Sequence, residues 1–247
     1  MKKFTTNDEI ESLCEAMIID FFKSRPYTNV LCVDIEGLVE EYLGIPIVYE
    51  TCAEADPGRS GVLADGKRPL SVRREGMTQQ VVFPQRTAVI ERCLLSPKES
   101  ARKRFTIAHE GAHDVINRHI PAQASPAAAF HSEYDPEMTY SREMLKEMLS
   151  VNESFTNRAA ACFLMPGFLV ERALKRYNGS KKVIIYEGGV LAQDQKFLIQ
   201  RMADAMGVSY SAFRIRLMEL DQYDVRPVEE YLHTGLRYGG EQDAGSY

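Results

Sequence analysis

The sequence predicts an α+β fold in which a small antiparallel sheet packs on one long helix and a helical subdomain follows. Apolar residues recur at three- and four-residue spacing from about Pro97 to about His119, which is typical of a helix with one buried face. Short runs of apolar and β-branched residues predict strands ahead of that helix, at 45–49, 80–83 and 87–90. Two amphipathic segments near the C-terminus predict the helices of the subdomain, at 193–206 and 210–220.

We expect three regions along the chain. Residues 1–175 form the main domain, residues 176–225 form the helical subdomain, and residues 226–247 form a flexible tail whose composition thins to Gly, Asp, Glu and Tyr. Before the sheet, the pattern predicts a helix at 7–23 and another from Asp34, as N-cap, to Leu43. The turn-rich and basic segment at 52–78 is typical of a solvated hairpin edge.

Composition and charge restrict the class of protein. Of the 247 residues, 45% are apolar and 26% are charged, as in ordinary globular proteins, and the net charge of −5 does not favour nucleic acid as the main partner. The basic start is followed by no apolar segment of a secretory signal, and no apolar run is long enough to span a membrane. Five scattered cysteines without a C-x-x-C pair predict reduced thiols, and therefore a cytoplasmic protein.

The central motif is H-E-x-x-H, at residues 109–113. Residues i and i+4 lie on one face of a helix, so His109 and His113 can direct two imidazoles at one point, and Zn²⁺ accepts neutral imidazole readily. Glu110 is turned about 100° from the first histidine. Its carboxylate is therefore predicted to act as a general base on a water molecule that the metal activates, and not as a ligand.

Two observations bear on whether this motif is accidental. H-E-x-x-H occurs by chance in roughly one chain in a hundred of this composition, and paired histidines on a half-buried helix are also found as ordinary core residues. The apolar residues directly before the motif favour the metal interpretation.

Ser96 and Glu99 are predicted to form a capping box at the start of the motif helix, with Pro97 at the first helical position.

A catalytic zinc site needs a third protein ligand, and Glu153 is the candidate. It lies on a predicted helix that ends at Pro166, with three consecutive alanines that allow close helix packing. Asn157, one turn further along, shares its face and is a candidate partner for a ligand histidine. A rival interpretation makes Ser150 and Glu153 a capping box at a helix start, after a separate short helix at about 143–149. Spacing alone does not separate the two.

The two motifs together resemble a known family. R-F-T-I-A-H-E-x-x-H at 104–113, followed by E-x-x-x-N-x-A-A-x-x-x-L-M-P at 153–166, is similar to the ImmA/IrrE family of bacterial metallopeptidases. The likeness covers roughly residues 33–166 and continues more weakly to about 220. It implies a zincin-like fold, with Glu110 as general base and with three metal ligands: His109, His113 and Glu153.

The same resemblance implies a substrate class, because family members cleave or inactivate DNA-binding repressors. The chain departs from the family pattern at Gly111-Ala112, where Leu-Gly is common, and at Phe155-Thr156, where a small residue usually precedes the asparagine. The long connection at 122–150 is a further departure. This connection contains three side chains that could polarise a substrate carbonyl: His131, Tyr134 and Tyr140. Histidine and tyrosine residues in exposed loops usually have no catalytic role.

The two C-terminal helices and their Gly-Val-Ser turn resemble a helix-turn-helix. Their basic residues are nearly balanced by acidic ones, which favours packing or substrate docking over DNA binding. The basic set is Lys196, Arg201, Arg214 and Arg216, against Asp194, Asp204 and Glu219.

We therefore predict a cytoplasmic zinc endopeptidase that acts on a protein substrate of the helix-turn-helix repressor class. Direct nucleic-acid binding and membrane association are not expected. Two histidines and one glutamate also suit Mn²⁺. The alternative is a metal-dependent binding module, of the anti-repressor or antitoxin kind, that sequesters a repressor without cutting it. The intact Glu110 favours the enzyme, because a purely structural site has no need of a base.

Overall fold

The computed structural model describes residues 6–25, 30–53, 60–119 and 142–231. It confirms an α+β architecture, in which helices combine with small sheets. The described residues divide into two compact units between Pro166 and Gly167. In the part of the chain that is described, no helix is both long and apolar enough to cross a membrane.

The first unit opens with two helical segments close to their predicted positions. Helix α1 spans Asn7–Lys23. Helix α2 spans Ile35–Gly37 and continues as a π-helical stretch over Leu38–Tyr42. The predicted N-cap is confirmed, because the Asp34 carboxylate accepts a hydrogen bond of 3.0 Å from the backbone N–H of Gly37.

The first unit contains a three-stranded sheet formed by β1 (Ile47–Glu50), β2 (Gly61–Leu63) and β5 (Ala88–Glu91), in the order β1–β5–β2. Strand β2 is antiparallel to β5, but β1 is parallel to it. The prediction of a small antiparallel sheet is therefore confirmed for β2 and β5 and wrong for β1 and β5. A parallel pair needs a long crossover, and residues 51–87 provide one between β1 and β5.

That crossover contains a β-hairpin, as the turn-rich composition predicted. Strands β3 (Leu70–Arg74) and β4 (Met77–Val81) pair antiparallel across the turn residues Glu75 and Gly76. Both turn residues have positive φ, at 51° and 79°, which matches the twist that a two-residue hairpin requires.

Helix α3 (Ser100–His119) carries the H-E-x-x-H motif and packs against β2 and β5. Two 3₁₀ turns precede it, Arg92–Leu95 and Pro97–Glu99. The predicted capping box does not form, since the Ser96 side chain makes no cap hydrogen bond. The backbone N–H of Glu99 instead donates to the Ser96 carbonyl at 2.9 Å, which closes a 3₁₀ turn.

Helix α4 (Arg142–Leu164) packs on α3 and on α1. It is continuous, so the prediction of a separate short helix at about 143–149 is wrong. Ser150 lies inside α4 and does not begin a helix, which removes the capping-box interpretation of Glu153. Ala159 and Ala160 are fully buried.

The second unit alternates helices with two short strands. Helix α5 (Gly167–Asn178) leads to strand β6 (Val183–Tyr186). Helices α6 (Gln193–Met206) and α7 (Tyr210–Glu219) follow, and β7 (Tyr223–Arg226) pairs in parallel with β6. Between α6 and α7, Gly207 is left-handed and Ser209 caps α7 by accepting from the Ala212 N–H at 3.1 Å.

A buried carboxylate fixes α3 to the loops around it. Asp114 follows His113, and its side chain is only 5% exposed. Arg86 donates to it through Nε at 2.8 Å and Nη2 at 3.2 Å, and Arg118 pairs with it one turn further along α3. Arg86 Nη2 also donates to the Leu43 carbonyl at 2.8 Å, which links α3 to the end of the π-helical stretch.

Asp114→Asn is expected to lower the free energy of unfolding by about 1–3 kcal/mol, because charge-assisted hydrogen bonds from two guanidinium groups are weakened. Chemical denaturation monitored by circular dichroism would measure this. Glu99→Gln is the matched control, since the Glu99–Arg102 pair is 3.9 Å long and exposed and such pairs contribute about 0–1 kcal/mol. Equal stability of the two variants would contradict the assigned role of Asp114.

Candidate metal centre

Two packed helices bring together the side chains that the sequence singled out. Helix α3 places His109 and His113 one turn apart, with ring centroids separated by 4.6 Å and planes at 89°. Helix α4 places the Glu153 carboxylate opposite them. Its Oε2 lies 3.4 Å from His109 Nε2, and its Oε1 lies 3.6 Å from His113 Nε2. One ligand atom from each of the three residues lies within 4.8 Å of the others.

These distances fit one tetrahedral metal ion. Ligand atoms bound to zinc at about 2.0–2.2 Å in a tetrahedral shell lie about 3.3–3.6 Å from one another. The distances from the two Glu153 oxygens, one to each histidine Nε2, are of this size. The donor set, two imidazoles and one carboxylate, is the chemistry of catalytic zinc sites, where three protein ligands leave a position for water or substrate. The residues present therefore fit a divalent ion.

The protonation state of His109 also suits metal binding. The Asn157 Oδ1 atom lies 3.0 Å from His109 Nδ1. An amide oxygen can only accept, so Nδ1 carries the proton and Nε2 presents its lone pair toward Glu153. Burial lowers the pKa of His109, against the opposing effects of the Glu153 carboxylate and the Asn157 side chain. A lowered pKa favours the neutral imidazole that a metal requires.

Glu110, the predicted base, lies between the two histidines in sequence but outside the three-residue group. It is only 4% exposed, and its side chain packs against the backbone of Gly61 in β2. A Cβ at position 61 would lie 2.8 Å from Glu110 Oε1 and 2.6 Å from the Thr106 methyl carbon. The strand therefore approaches α3 as closely as a glycine allows.

Two residues at this centre were missed by the sequence analysis. Gly61 lies in the segment assigned to a solvated hairpin, although a glycine inside a strand often marks a close approach of another group. Thr156 was noted only as a departure from a family pattern, yet its Oγ1 lies 3.4 Å from His113 Nδ1. No local sequence signal separates such a threonine from an ordinary core residue. The three candidate carbonyl-polarising residues lie outside the described residues: His131, Tyr134 and Tyr140.

The fold and site define a class, an α+β protein with a His-His-Glu group that can hold a metal ion on packed helices. The family model of the IrrE N-terminal-like domain, Peptidase_M78, matches residues 75–218, more than half of the chain. The chain therefore belongs to this family, as the resemblance to ImmA/IrrE proteins predicted. The matched residues include the two histidines, Glu110 and Glu153. Family membership supports a peptidase-type enzyme and, with the His-His-Glu group, a metallopeptidase.

Other comparisons add less. Among solved structures, a Mycobacterium tuberculosis transcriptional regulator is similar at 15% sequence identity, with a TM-score of 0.44. The comparison covers 85% of this chain and 47% of the regulator chain, so this chain spans about half of that protein's length. No curated protein sequence matches this chain at a significant level.

Proposed function

We propose that this protein is a zinc-dependent endopeptidase with a zincin-like arrangement, in which His109, His113 and Glu153 hold the metal ion and Glu110 is the general base. The observation that carries the proposal is the convergence of His109, His113 and Glu153, whose ligand atoms lie within 4.8 Å of one another, with one Glu153 oxygen 3.4 Å from His109 Nε2 and the other 3.6 Å from His113 Nε2. Family membership supports the peptidase assignment independently. Manganese suits the same donor set, and zinc is proposed because two imidazoles and one carboxylate are the ligands of known catalytic zinc sites.

The reaction follows from the positions of the side chains. A bound divalent ion supplies Lewis acidity, which polarises a peptide carbonyl and makes a nearby water molecule more acidic. Glu110 accepts the proton of that water as it attacks the carbonyl carbon, and returns a proton to the leaving amine when the C–N bond breaks. The close approach of Gly61 leaves no room for a side chain of β2 beside the Glu110 carboxylate. Asn157 holds His109 in the tautomer that leaves Nε2 available.

The proposed substrate is a helix-turn-helix repressor, and the proposed place of the reaction is the cytoplasm. The substrate class is the one that the ImmA/IrrE resemblance implies. A protein partner is also favoured by the charges of the second unit, because the basic residues of its two amphipathic helices are nearly balanced by acidic ones. The Arg216 side chain is fully buried and pairs with Glu219 at 3.2 Å, and Arg214 donates to the Gly189 carbonyl at 3.3 Å. The buried Arg216 guanidinium is therefore not available as a phosphate contact of a DNA-reading face.

The proposal is tested by incubating the zinc-loaded chain with a helix-turn-helix repressor encoded beside it, and measuring intact masses. Two fragments whose masses sum to the repressor plus one water are expected, and a chelator should abolish them. A repressor that stays intact while forming a stable, metal-dependent complex would contradict the peptidase and support the binding-module alternative.

Gly61→Ala is expected to lower the rate of that cleavage by roughly 10- to 100-fold, because an added methyl displaces the Glu110 carboxylate and small displacements of catalytic groups cost about this much. Zinc affinity should stay at the parent value, since Gly61 touches none of the three ligands among its nearest contacts. The rate is measured by quantifying fragments over time.

The double variant Gly61→Ala/Thr106→Ser separates two causes of that loss. The serine removes the Thr106 methyl, which is the nearest contact of the new Cβ, and leaves the clash with Glu110. The double variant should therefore remain slow. Full recovery would show that the spacing of strand and helix matters, and that the position of Glu110 does not.

A further inference from the structure

We propose that Thr156 is a positioning residue for His113, and that its hydroxyl stabilises the metal-bound state by accepting the proton on His113 Nδ1. This inference rests on the proposed metal site and extends it to a residue outside the ligand set. Thr156 Oγ1 lies 3.4 Å from His113 Nδ1, and the Thr156 side chain is fully buried.

The arrangement on α4 is paired. Thr156 and Asn157 are consecutive residues on α4, and they face the Nδ1 atoms of two histidines that are one turn apart on α3. The Asn157 Oδ1 atom contacts His109 Nδ1, and the Thr156 Oγ1 atom contacts His113 Nδ1. Each ligand histidine therefore has an oxygen acceptor at the ring nitrogen that points away from Glu153, which is the role that such partners play at histidine metal sites.

The chemistry makes this contact specific to the metal-bound state. The two ring nitrogens of a neutral imidazole share one proton. When Nε2 binds a metal, that proton must lie on Nδ1. In buried surroundings an N–H without an acceptor destabilises the state that contains it. Without metal, His113 can change tautomer and escape that cost. The Thr156 hydroxyl has two lone pairs, so it can accept from Nδ1 whatever else it donates to.

A matched pair of substitutions separates the hydroxyl from the packing of the side chain. Thr156→Val keeps the shape and removes the acceptor, whereas Thr156→Ser keeps the hydroxyl and removes the methyl group. Thr87→Val is the control for removing a buried threonine hydroxyl elsewhere, since Thr87 is only 3% exposed and lies before β5.

Zinc affinity is measured by competitive chelator titration of the full chain and its variants. Thr156→Val is expected to bind zinc about 10- to 100-fold more weakly than the parent, the usual cost of removing such a partner. Thr156→Ser and Thr87→Val should stay near the parent value. Parent-like affinity of Thr156→Val, or a loss in Thr156→Ser equal to that in Thr156→Val, would overturn the inference and leave the proposed function intact. A parent chain that binds no zinc would overturn both.

A second measurement uses the parent chain alone, so it does not depend on whether a variant folds. In the zinc-loaded parent chain, ¹⁵N–¹H correlation spectra of the His113 ring should show the proton on Nδ1. That proton should exchange slowly with water and give a nuclear Overhauser contact to the Thr156 methyl group. A proton on Nδ1 that exchanges freely and lacks this contact would overturn the inference.

Discussion

Replacing Glu110 by Gln is expected to lower peptide-bond cleavage by a factor of roughly 10² or more while zinc remains bound. Glutamine has nearly the same shape as glutamate, but its amide cannot accept the proton of the attacking water. Because Glu110 lies outside the His-His-Glu group, its substitution should leave the three ligand atoms in place. The measurement is the rate of fragment formation from the repressor, together with the zinc content of the purified variant.

Glu171→Gln, which makes the same chemical change at an exposed position of α5, is the control and should cleave at the parent rate. Equal rates for Glu110→Gln and the parent would remove Glu110 from the mechanism. Loss of zinc from Glu110→Gln would contradict its assignment as a base and make it a ligand.

The second large effect is expected from Glu153→Ala, which should weaken zinc binding well beyond the 10- to 100-fold that is typical of a residue supporting a ligand. Its carboxylate is the group that faces both histidine Nε2 atoms, at 3.4 Å and 3.6 Å, so its removal leaves the ion with two protein ligands. Chelator titration gives the affinity. Asn157→Ala should show a smaller loss, because Asn157 supports a ligand through its contact with His109 Nδ1 and does not itself bind the ion.

Glu143→Ala controls for the loss of a negative charge on the same helix. It lies ten residues before Glu153 on α4, which places it about 15 Å away along the helix axis at 1.5 Å per residue. Its zinc affinity should match the parent. A loss of zinc affinity in Asn157→Ala that equals or exceeds the loss in Glu153→Ala would contradict the ligand assignment.

What the sequence predicted well depends on local geometry. The pairing of His109 and His113 follows from helical periodicity alone, and the helices that carry the apolar stripes lie close to their predicted bounds. Glu153 was different. Its distance from the histidines in sequence is long, and spacing left a capping role equally open until the resemblance to a family was considered. The continuous helix α4 places it beside the histidines.

What the sequence did not predict depends on contacts between distant segments. Short apolar runs carry no strand direction, so the parallel pairing of β1 with β5 was not foreseen. Gly61 and Thr156 have ordinary residue types in ordinary local patterns, and they matter only because β2 and α4 pack on α3. The proposed role of Thr156 depends on a histidine nitrogen lying beside its hydroxyl, and the local sequence does not show that contact.

The central claim is that one metal ion is held by His109, His113 and Glu153, with Glu110 left out of its coordination shell. The most direct measurement is a crystal structure of the zinc-loaded protein with an anomalous difference map recorded at the zinc absorption edge. The account predicts one peak, bonded to both histidine Nε2 atoms and to the Glu153 carboxylate at about 2.0–2.2 Å. A zinc peak elsewhere, or a peak bonded to Glu110 in place of Glu153, would contradict it.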